Sequence, residues 1–252
     1  KQTLTGSATI TYHNNSPDAL KYIWLQMDQN RFEPQSMDQA SRTTPKSSKG
    51  MTMERFRKHV DEQTFDGGYK VTALKDSGGA SLDSVTVGTL MRVDLETPLQ
   101  AGQMTEISID WWYNIPNAKK FKLSRQGYEY FPRDHNMIYE IAQWYPRVTA
   151  YSDYEGWHNK EYQGSGEFTL EFGDYDVSIT VPADHIVAST GELQNDAEVL
   201  TQAQRDRMIE ARTASVPMFI VTPEEAVENE KTRSEETKTW HYKAENVRDF
   251  AF

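Results

Sequence analysis

Apolar residues recur at every second position in five stretches of this chain, and this pattern constrains the fold more than any other feature. The stretches are 8–12, 107–113, 168–172, 175–181 and 240–242. A period of two places successive side chains on opposite faces of a strand, so one face of each strand is buried and the other is solvated. Segment 22–27, YIWLQM, is apolar on both faces and predicts a more deeply buried strand. An all-β fold with mostly antiparallel strands follows.

Turn-forming residues separate these strands. They occur at Asn14-Asn15-Ser16-Pro17, Asp66-Gly67-Gly68, Asp76-Ser77-Gly78-Gly79, Gly164-Ser165-Gly166 and Gly173-Asp174. Short strands at regular spacing favour a β-sandwich or a large curved sheet. No repeat of 20–50 residues and no linker rich in Pro, Gly or Ser divides the sequence, so residues 1–252 are predicted to form one domain.

Two short helices are predicted as insertions between strands. In segment 201–212, Thr201 is a candidate N-cap, with Gln204 three residues later to complete a capping box. Segment 222–230 repeats this pattern, since Thr222 precedes a proline and Glu225 follows three residues after it.

A long polar segment, 33–60, interrupts the strand pattern. It is crowded with Ser, Thr, Lys and Gln and is predicted to be a loop, with a helical turn near 53–60.

The charge balance and the absence of cysteine exclude several functions. The 38 acidic and 27 basic residues give a net charge of -11, and an acidic surface repels nucleic-acid phosphates. No run of about 18 apolar residues is present to span a membrane. Without cysteine the chain has no disulfides, no thiolate metal ligands and no cysteine nucleophile.

The two ends of the sequence predict a fragment of an exported protein. The chain opens without Met on a predicted strand, which is expected if a signal peptide was removed before Lys1. A periplasmic or cell-envelope location is expected, and a cytoplasmic one stays open. The alternation in 239–252 predicts a strand that continues to Phe252, as in a longer chain cut at this point.

No self-contained catalytic or metal site is visible. The six histidines include no pair within five residues and no HExxH motif, so no metal ligand is assigned. His135, after Asp134, is interpreted as a surface-loop residue, and His241 as a solvated residue on a strand. No G-x-S-x-G motif is present, and abundant carboxylates alone do not indicate a glycosidase pair. No catalytic residue is assigned to this chain.

Segment 139–157 combines six aromatic residues with Gln143 and the step Pro146-Arg147. It is either the aromatic seam of a β-domain or the wall of a binding site that is completed elsewhere.

Several segments resemble the N-terminal domain of bacterial zinc metallopeptidases of the aminopeptidase N family. They are 6–32, 128–157, 166–193, 218–226 and 239–252. The resemblance covers nearly the whole chain except the polar segment 33–60. It implies a saddle-shaped, mostly antiparallel β-sandwich-like domain that packs on its own C-terminal, thermolysin-like catalytic domain. That domain carries HExxH and a distant glutamate that bind zinc, so no cofactor is expected in residues 1–252. It also implies that 246–252 is the strand at the domain junction.

The resemblance further implies a substrate-binding residue. In this family the β-domain lends a Glu or Gln, shortly before an Arg, to bind the free α-amine of a peptide substrate. Gln143, four residues before Arg147, is the first candidate, and Glu140 is the second. The commoner family spacing is five residues, which corresponds to Ala142 here. A glutamine carbonyl can accept a hydrogen bond from an ammonium group, but it adds no charge.

Two other functions remain open. The chain can be a stand-alone β-sandwich module for peptide or carbohydrate, with exposed aromatic residues such as Trp111, Trp112 or Trp157 as its binding surface. It can also be a structural domain that docks on a catalytic partner without touching substrate.

Overall fold

The computed structural model describes residues 2–34, 36–41, 50–123, 125–164 and 170–252. Strands account for 41% of the chain and helices for 19%, and the strands form antiparallel sheets. The prediction of an all-β fold with short helices is therefore confirmed.

The strands, in chain order, are β1 (Thr3–His13), β2 (Leu20–Gln26), β3 (Lys70–Asp76), β4 (Ser84–Val87), β5 (Leu90–Leu99), β6 (Met104–Asn114), β7 (Gln126–Phe131), β8 (Asn136–Ile141), β9 (Arg147–Val148), β10 (Tyr151–Ser152), β11 (Gly156–Trp157), β12 (Gly173–Pro182), β13 (Glu192–Leu193) and β14 (Thr237–Val247). The helices are a 3-10 helix (Asp28–Phe32) and α1 (Met37–Ser41), α2 (Met53–Gln63), α3 (Ala118–Phe121), α4 (Asp196–Val199), α5 (Gln202–Ala211) and α6 (Pro223–Glu230).

The described chain divides into two compact units, residues 1–129 with 139–171, and residues 130–138 with 172–252. In the first unit, a three-stranded sheet has the order β1-β6-β3, and a four-stranded sheet has the order β4-β5-β2-β9. In the second unit, β14 lies between β12 and β13. Strands β7 and β8 pair with each other.

Buried apolar residues on β2, β5 and β6 form the core of the first unit. Ile23, Leu25, Val93 and Ile109 are fully buried. On β2, six of seven residues are at least partly buried, as the apolar run 22–27 predicts. Burial of this apolar surface is the main favourable contribution to folding.

Strand β1 pairs with β6 along its full length, and Gly6 lies opposite Trp111. A Cβ atom added at Gly6 would lie 2.4 Å from Cζ2 of Trp111, so the indole ring occupies the space that any larger residue would need. The absence of a side chain at Gly6 thus allows Trp111 to lie against β1.

Both predicted helices with capping boxes are confirmed. Helix α5 begins after Thr201, whose hydroxyl accepts from the Gln204 N–H, while the Gln204 side chain accepts from the Thr201 N–H. Helix α6 begins after Thr222 with the same reciprocal bonds to Glu225. In segment 33–60, α1 and the first part of α2 are found where the sequence predicted a loop with one helical turn.

Three predictions about strand limits are wrong. Gly173-Asp174 is not a turn but the start of β12, where a register shift against β14 accommodates Gly173. Residues 170–172 include only an isolated bridge between Leu170 and Thr149, and Phe168 lies outside the described residues. Strand β14 ends at Val247, so 248–252 is not a strand. The predicted turn at Gly164-Ser165-Gly166 also falls largely outside the described residues.

Candidate functional site

The segment between β8 and β9 has an unusual backbone at Gln143. Its φ is 53°, in the left-handed region that non-glycine residues rarely occupy. The residue is 7% exposed. A left-handed backbone at a non-glycine residue raises the free energy of the folded state by roughly 1–2 kcal/mol. It persists only where surrounding contacts hold it.

The Gln143 carbonyl receives two hydrogen bonds from buried side chains. Gln29 donates from Nε2 at 2.9 Å, and the Tyr69 hydroxyl donates at 3.2 Å. Tyr69 is itself held by its backbone N–H, which donates to Oδ1 of Asn30 at 2.9 Å. These contacts hold the carbonyl in the direction that the left-handed backbone requires.

The Gln143 side chain is held by a second glutamine. Nε2 of Gln126 donates to Oε1 of Gln143, and both residues are buried. Gln126 opens β7 and is followed by Gly127, whose φ is 106°. A Cβ at Gly127 would lie 2.3 Å from the Pro116 carbonyl oxygen, so a glycine is required where the chain passes Pro116.

A buried ion pair holds the other end of the segment. Nη2 of Arg147 lies 2.5 Å from Oδ2 of Asp28, and these side chains are 4% and 0% exposed. Arg147 begins β9, which pairs with β2 at Gln26. The 3-10 helix that follows β2 carries Asp28 and Gln29 in succession. One helical turn therefore contacts both Arg147 and the Gln143 carbonyl.

The aromatic residues of 139–157 mainly pack with other aromatic residues. The Trp111 indole N–H donates to the Trp144 carbonyl at 3.2 Å, and the two ring centroids are 6.1 Å apart. The Trp157 ring lies 5.9 Å from that of Tyr12 and 5.1 Å from that of Tyr151. Trp111 is 1% exposed, so the expectation that it offers an exposed binding surface is wrong.

Two enclosed oxygens near Gln143 have no hydrogen-bond donor among the described residues. They are Oε1 of Gln29 and Oε1 of Gln126, the acceptor ends of the two amides that donate to Gln143. A buried acceptor without a donor costs about 1–3 kcal/mol. In folded proteins most buried acceptors are paired with a protein group or with ordered water.

Glu140 is the second candidate residue. It is an exposed residue of β8, and no hydrogen bond among the described residues links it to Gln143, Gln29 or Gln126. Its neighbour Tyr139 donates to Oε1 of Gln2 at 2.5 Å, and burial raises the pKa of the Tyr139 hydroxyl.

Sequence reasoning singled out Gln143 but not Gln29, Tyr69 or Gln126. The available signal was the polar run Asp28-Gln29-Asn30, directly after an apolar strand predicted to be buried. Polar residues that continue a buried strand need partners inside the protein. The sequence does not say which partners these are.

The histidines and carboxylates form no metal cluster in the part of the chain that the structure describes. His241 contacts Asp176 at 2.6 Å, His158 contacts Ser152 at 2.9 Å, and the His135 ring contacts the Tyr130 hydroxyl at 2.9 Å. Among the described helices, none has both the length and the hydropathy that crossing a bilayer needs.

Comparisons with known proteins gave matches only among solved structures. No protein-family profile and no curated protein matches the sequence. The M1 zinc metallopeptidase from Deinococcus radiodurans matches over 100% of this chain and 38% of its own, with 12% identity and a TM-score of 0.43. A mutant of that enzyme bound to a Tyr-Ser-Ala substrate matches with the same identity and coverage and a TM-score of 0.44. A likeness this weak carries no argument about what the present chain binds.

Proposed function

We propose that this chain is the non-catalytic N-terminal domain of a zinc-dependent metallopeptidase of the aminopeptidase type. In this proposal it packs on the catalytic domain of the same protein and forms part of the mouth that binds the amine of a peptide substrate. Zinc and the catalytic residues belong to the catalytic domain, and the parent protein is placed in the periplasm or cell envelope.

The observation that carries the proposal is the conformation of Gln143. The backbone of Gln143 is left-handed, and two hydrogen bonds to its main-chain carbonyl and one to its side chain hold it in this conformation. Unfavourable backbone conformations that are held in this way cluster at binding sites, because the geometry of the bound atom depends on them. Together with the sequence resemblance, this supports Gln143 as the residue that accepts from the substrate amine.

The substrate class follows from the chemistry of the amide. The side-chain oxygen of Gln143, Oε1, has two lone pairs, and Gln126 occupies only one of them. An α-ammonium group carries three N–H donors and can use the other. A peptide or aminoacyl compound with a free N-terminus is the expected ligand.

The test compares residues 1–252 with the longer gene product that carries them. Zinc is quantified in both by elemental analysis, and both are assayed on aminoacyl-aminomethylcoumarin substrates. Zinc and turnover only in the longer protein support the proposal. Stoichiometric zinc or turnover in residues 1–252 alone, or a gene without HExxH after this segment, would refute it.

The role of Gln143 is tested in the longer protein. Gln143→Ala is expected to raise KM for free-amine substrates more than it changes kcat, because a binding contact is removed. Gln100→Ala, at an exposed glutamine, is the control. If Gln143→Ala keeps the parental KM, as the control does, Gln143 does not bind the substrate amine, and a domain that docks on the catalytic domain without touching substrate is favoured.

A further inference from the structure

Strand β1 lies at one edge of the sheet β1-β6-β3 and is paired on one side only. It is 11 residues long and pairs with β6 along its whole length without a register shift. In the part of the chain that the structure describes, no backbone group pairs with the other edge of β1 between Thr3 and Tyr12. This edge of the sheet is therefore open to a further strand.

The backbone bonds at the two ends of β1 show which of its residues face the open edge. The Ile115 N–H donates to the Gln2 carbonyl, and the Asn14 N–H donates to the Gln103 carbonyl. In an antiparallel pair, residues that direct both backbone groups at the partner strand alternate with residues that direct both away from it. Even-numbered residues of β1 therefore bond to β6, and odd-numbered residues face outward. The outward-facing residues are Thr3, Thr5, Ser7, Thr9 and Thr11.

Strand β1 differs from the other edge strands of the described three- and four-stranded sheets. Strands β9 and β13 have two residues each, and β4 has four. Strands β3 and β12 are interrupted by register shifts and carry charged side chains such as Lys70 and Asp176. Short strands, bulges and charges keep edge strands from pairing with other chains. Between Thr3 and Tyr12, β1 has no charged residue, no proline and no register shift.

The outward-facing residues of β1 match a second copy of the same strand. About a two-fold axis at Ser7, antiparallel pairing places Thr5 opposite Thr9 of the second copy, and Thr3 opposite Thr11. All of these side chains lie on the exposed face of β1. Cross-strand pairs of Thr and Ser are favourable, because their hydroxyl groups can bond to each other.

The half-buried face of β1 is matched in the same register. Leu4 lies opposite Ile10 of the second copy, and Gly6 lies opposite Ala8. Apolar side chains therefore meet apolar ones, and small residues meet small ones. When a strand is added to a sheet edge, the side chains of the added strand decide specificity. A second β1 fits both faces of this edge.

The charge of the chain also favours a second copy over a basic peptide. Two copies with a net charge of -11 repel each other, and this repulsion decays over about 8 Å at physiological salt. A contact edge without acidic side chains keeps the repulsion small. A basic peptide would be held best by acidic residues along its docking edge, and β1 has none between Thr3 and Tyr12.

We propose that β1 is a self-association edge: two copies of this protein pair through antiparallel β1 strands about a two-fold axis at Ser7. The pairing joins the two three-stranded sheets into one continuous sheet and closes the open edge of each. Such a contact is symmetric, because both copies use the same surface. The inference is independent of the proposed function, since it concerns the edge of a sheet and not the site at Gln143.

The experiment measures the molar mass of the longer gene product by sedimentation equilibrium over a range of concentrations. Ser7→Pro removes an outward-facing N–H and leaves the bonds between β1 and β6 in place. Proline is tolerated in an edge strand where its nitrogen faces solvent. The Kd of the dimer is expected to rise about tenfold or more, since each copy loses a backbone hydrogen bond at the axis.

Thr86→Pro, on the short edge strand β4, is the matched control. The Asp94 N–H donates to the Asp83 carbonyl, so Thr86 faces outward by the same alternation. This variant is expected to keep the parental Kd. Thermal unfolding shows whether each variant keeps its fold. If Ser7→Pro does not fold, Thr9→Lys carries the test, because it places a charge on the edge without changing the backbone, and it is also expected to raise Kd.

A cross-linking experiment tests the position of the axis. Residues that lie opposite each other in a bonded antiparallel pair have Cα atoms about 5.5 Å apart, which a disulfide can span. Under oxidation, Ser7→Cys is expected to give a covalent dimer, and Thr86→Cys is not. Residues 1–252 contain no cysteine, and the parent protein reveals any cross-link from cysteines elsewhere in the longer chain.

Three results would overturn the inference. They are a longer gene product that is monomeric at every concentration, a dimer whose Kd is unchanged in both Ser7→Pro and Thr9→Lys, and a Ser7→Cys variant that forms no more covalent dimer than Thr86→Cys. If residues 1–252 dimerise while the longer protein stays monomeric, another part of the same protein covers β1, and the inference is again wrong. None of these results bears on zinc binding or on the KM of Gln143→Ala, so the proposed function is judged separately.

Discussion

Arg147 and Asp28, 119 positions apart, form a buried ion pair with Nη2 and Oδ2 2.5 Å apart. The pair connects the first residue of β9 with the 3-10 helix that follows β2. Because Gln29 on the same helix binds the Gln143 carbonyl, the pair also fixes the segment on which the candidate site depends.

Removing one partner of this pair is expected to be costly. Arg147→Met leaves the Asp28 carboxylate buried without its guanidinium, and we expect a loss of about 3–5 kcal/mol in the free energy of unfolding. Urea denaturation of residues 1–252, followed by tryptophan fluorescence, measures this. Arg92→Met, in the half-exposed pair with Asp94, is the control and is expected to cost about 1 kcal/mol or less. Equal losses in the two variants would contradict the prediction.

The left-handed backbone of Gln143 predicts an inverted preference between glycine and alanine. Both substitutions remove the amide that bonds to Gln126, but only glycine is free of the left-handed penalty. Gln143→Gly is expected to be about 1 kcal/mol more stable than Gln143→Ala in chemical unfolding. At Ser84, an exposed residue of β4, the order is expected to be reversed, with glycine the less stable. An Ala variant as stable as the Gly variant at position 143 would rule out backbone strain there.

The contact between Gly6 and Trp111 predicts a steric cost. Gly6→Ala places a methyl group where the indole ring now lies, and we expect about 1–3 kcal/mol of destabilisation from overpacking. Displacement of the ring should also change the fluorescence of the folded state. Gly173→Ala is the control, because the nearest atom to its added Cβ would be 3.9 Å away. Crystal structures of the two variants would reveal whether Trp111 has moved.

Glu225 predicts a stability difference that depends on pH. Hydrogen bonds from the Arg207 guanidinium, and then from the Thr222 N–H, lower the pKa of the Glu225 carboxyl below its usual 4.5. A carboxyl with a lowered folded-state pKa stabilises the protein above the unfolded-state pKa, and this contribution is lost as the pH falls through the folded value. Glu225→Gln is therefore expected to unfold at a lower temperature than the parent at pH 7. This difference in unfolding temperature should disappear below pH 4.5.

Glutamine is suited to this comparison because it can still complete the capping box of α6. Glu228→Gln, in the exposed pair with Lys231, is the control. Its unfolding temperature at pH 7 should differ less from that of the parent. If the difference in unfolding temperature between Glu225→Gln and the parent is the same at acidic pH as at pH 7, the ion pair is not its source.

Features that depend on nearby residues could be predicted from the sequence. The capping boxes at Thr201 and Thr222 were correct in every residue, because each involves groups three positions apart. Helix α2 was recognised only as a turn, since Thr52 caps it without a Glu or Gln three residues later. At Gly173-Asp174 the local turn propensity was overridden, because pairing with β14 holds the chain extended.

Periodicity and capping, which are set by covalent spacing along the chain, were enough to predict β1, β2, β6, β12, β14 and the two capped helices. The choice of Gln143 as a candidate came from the sequence resemblance. The surroundings of Gln143 depend on tertiary packing. Gln29 lies 114 positions away and Gln126 lies on a strand before it, so their side chains meet Gln143 only after β2, β7 and β9 have packed. No local pattern encodes such contacts, because they depend on which buried polar groups find each other when water is excluded.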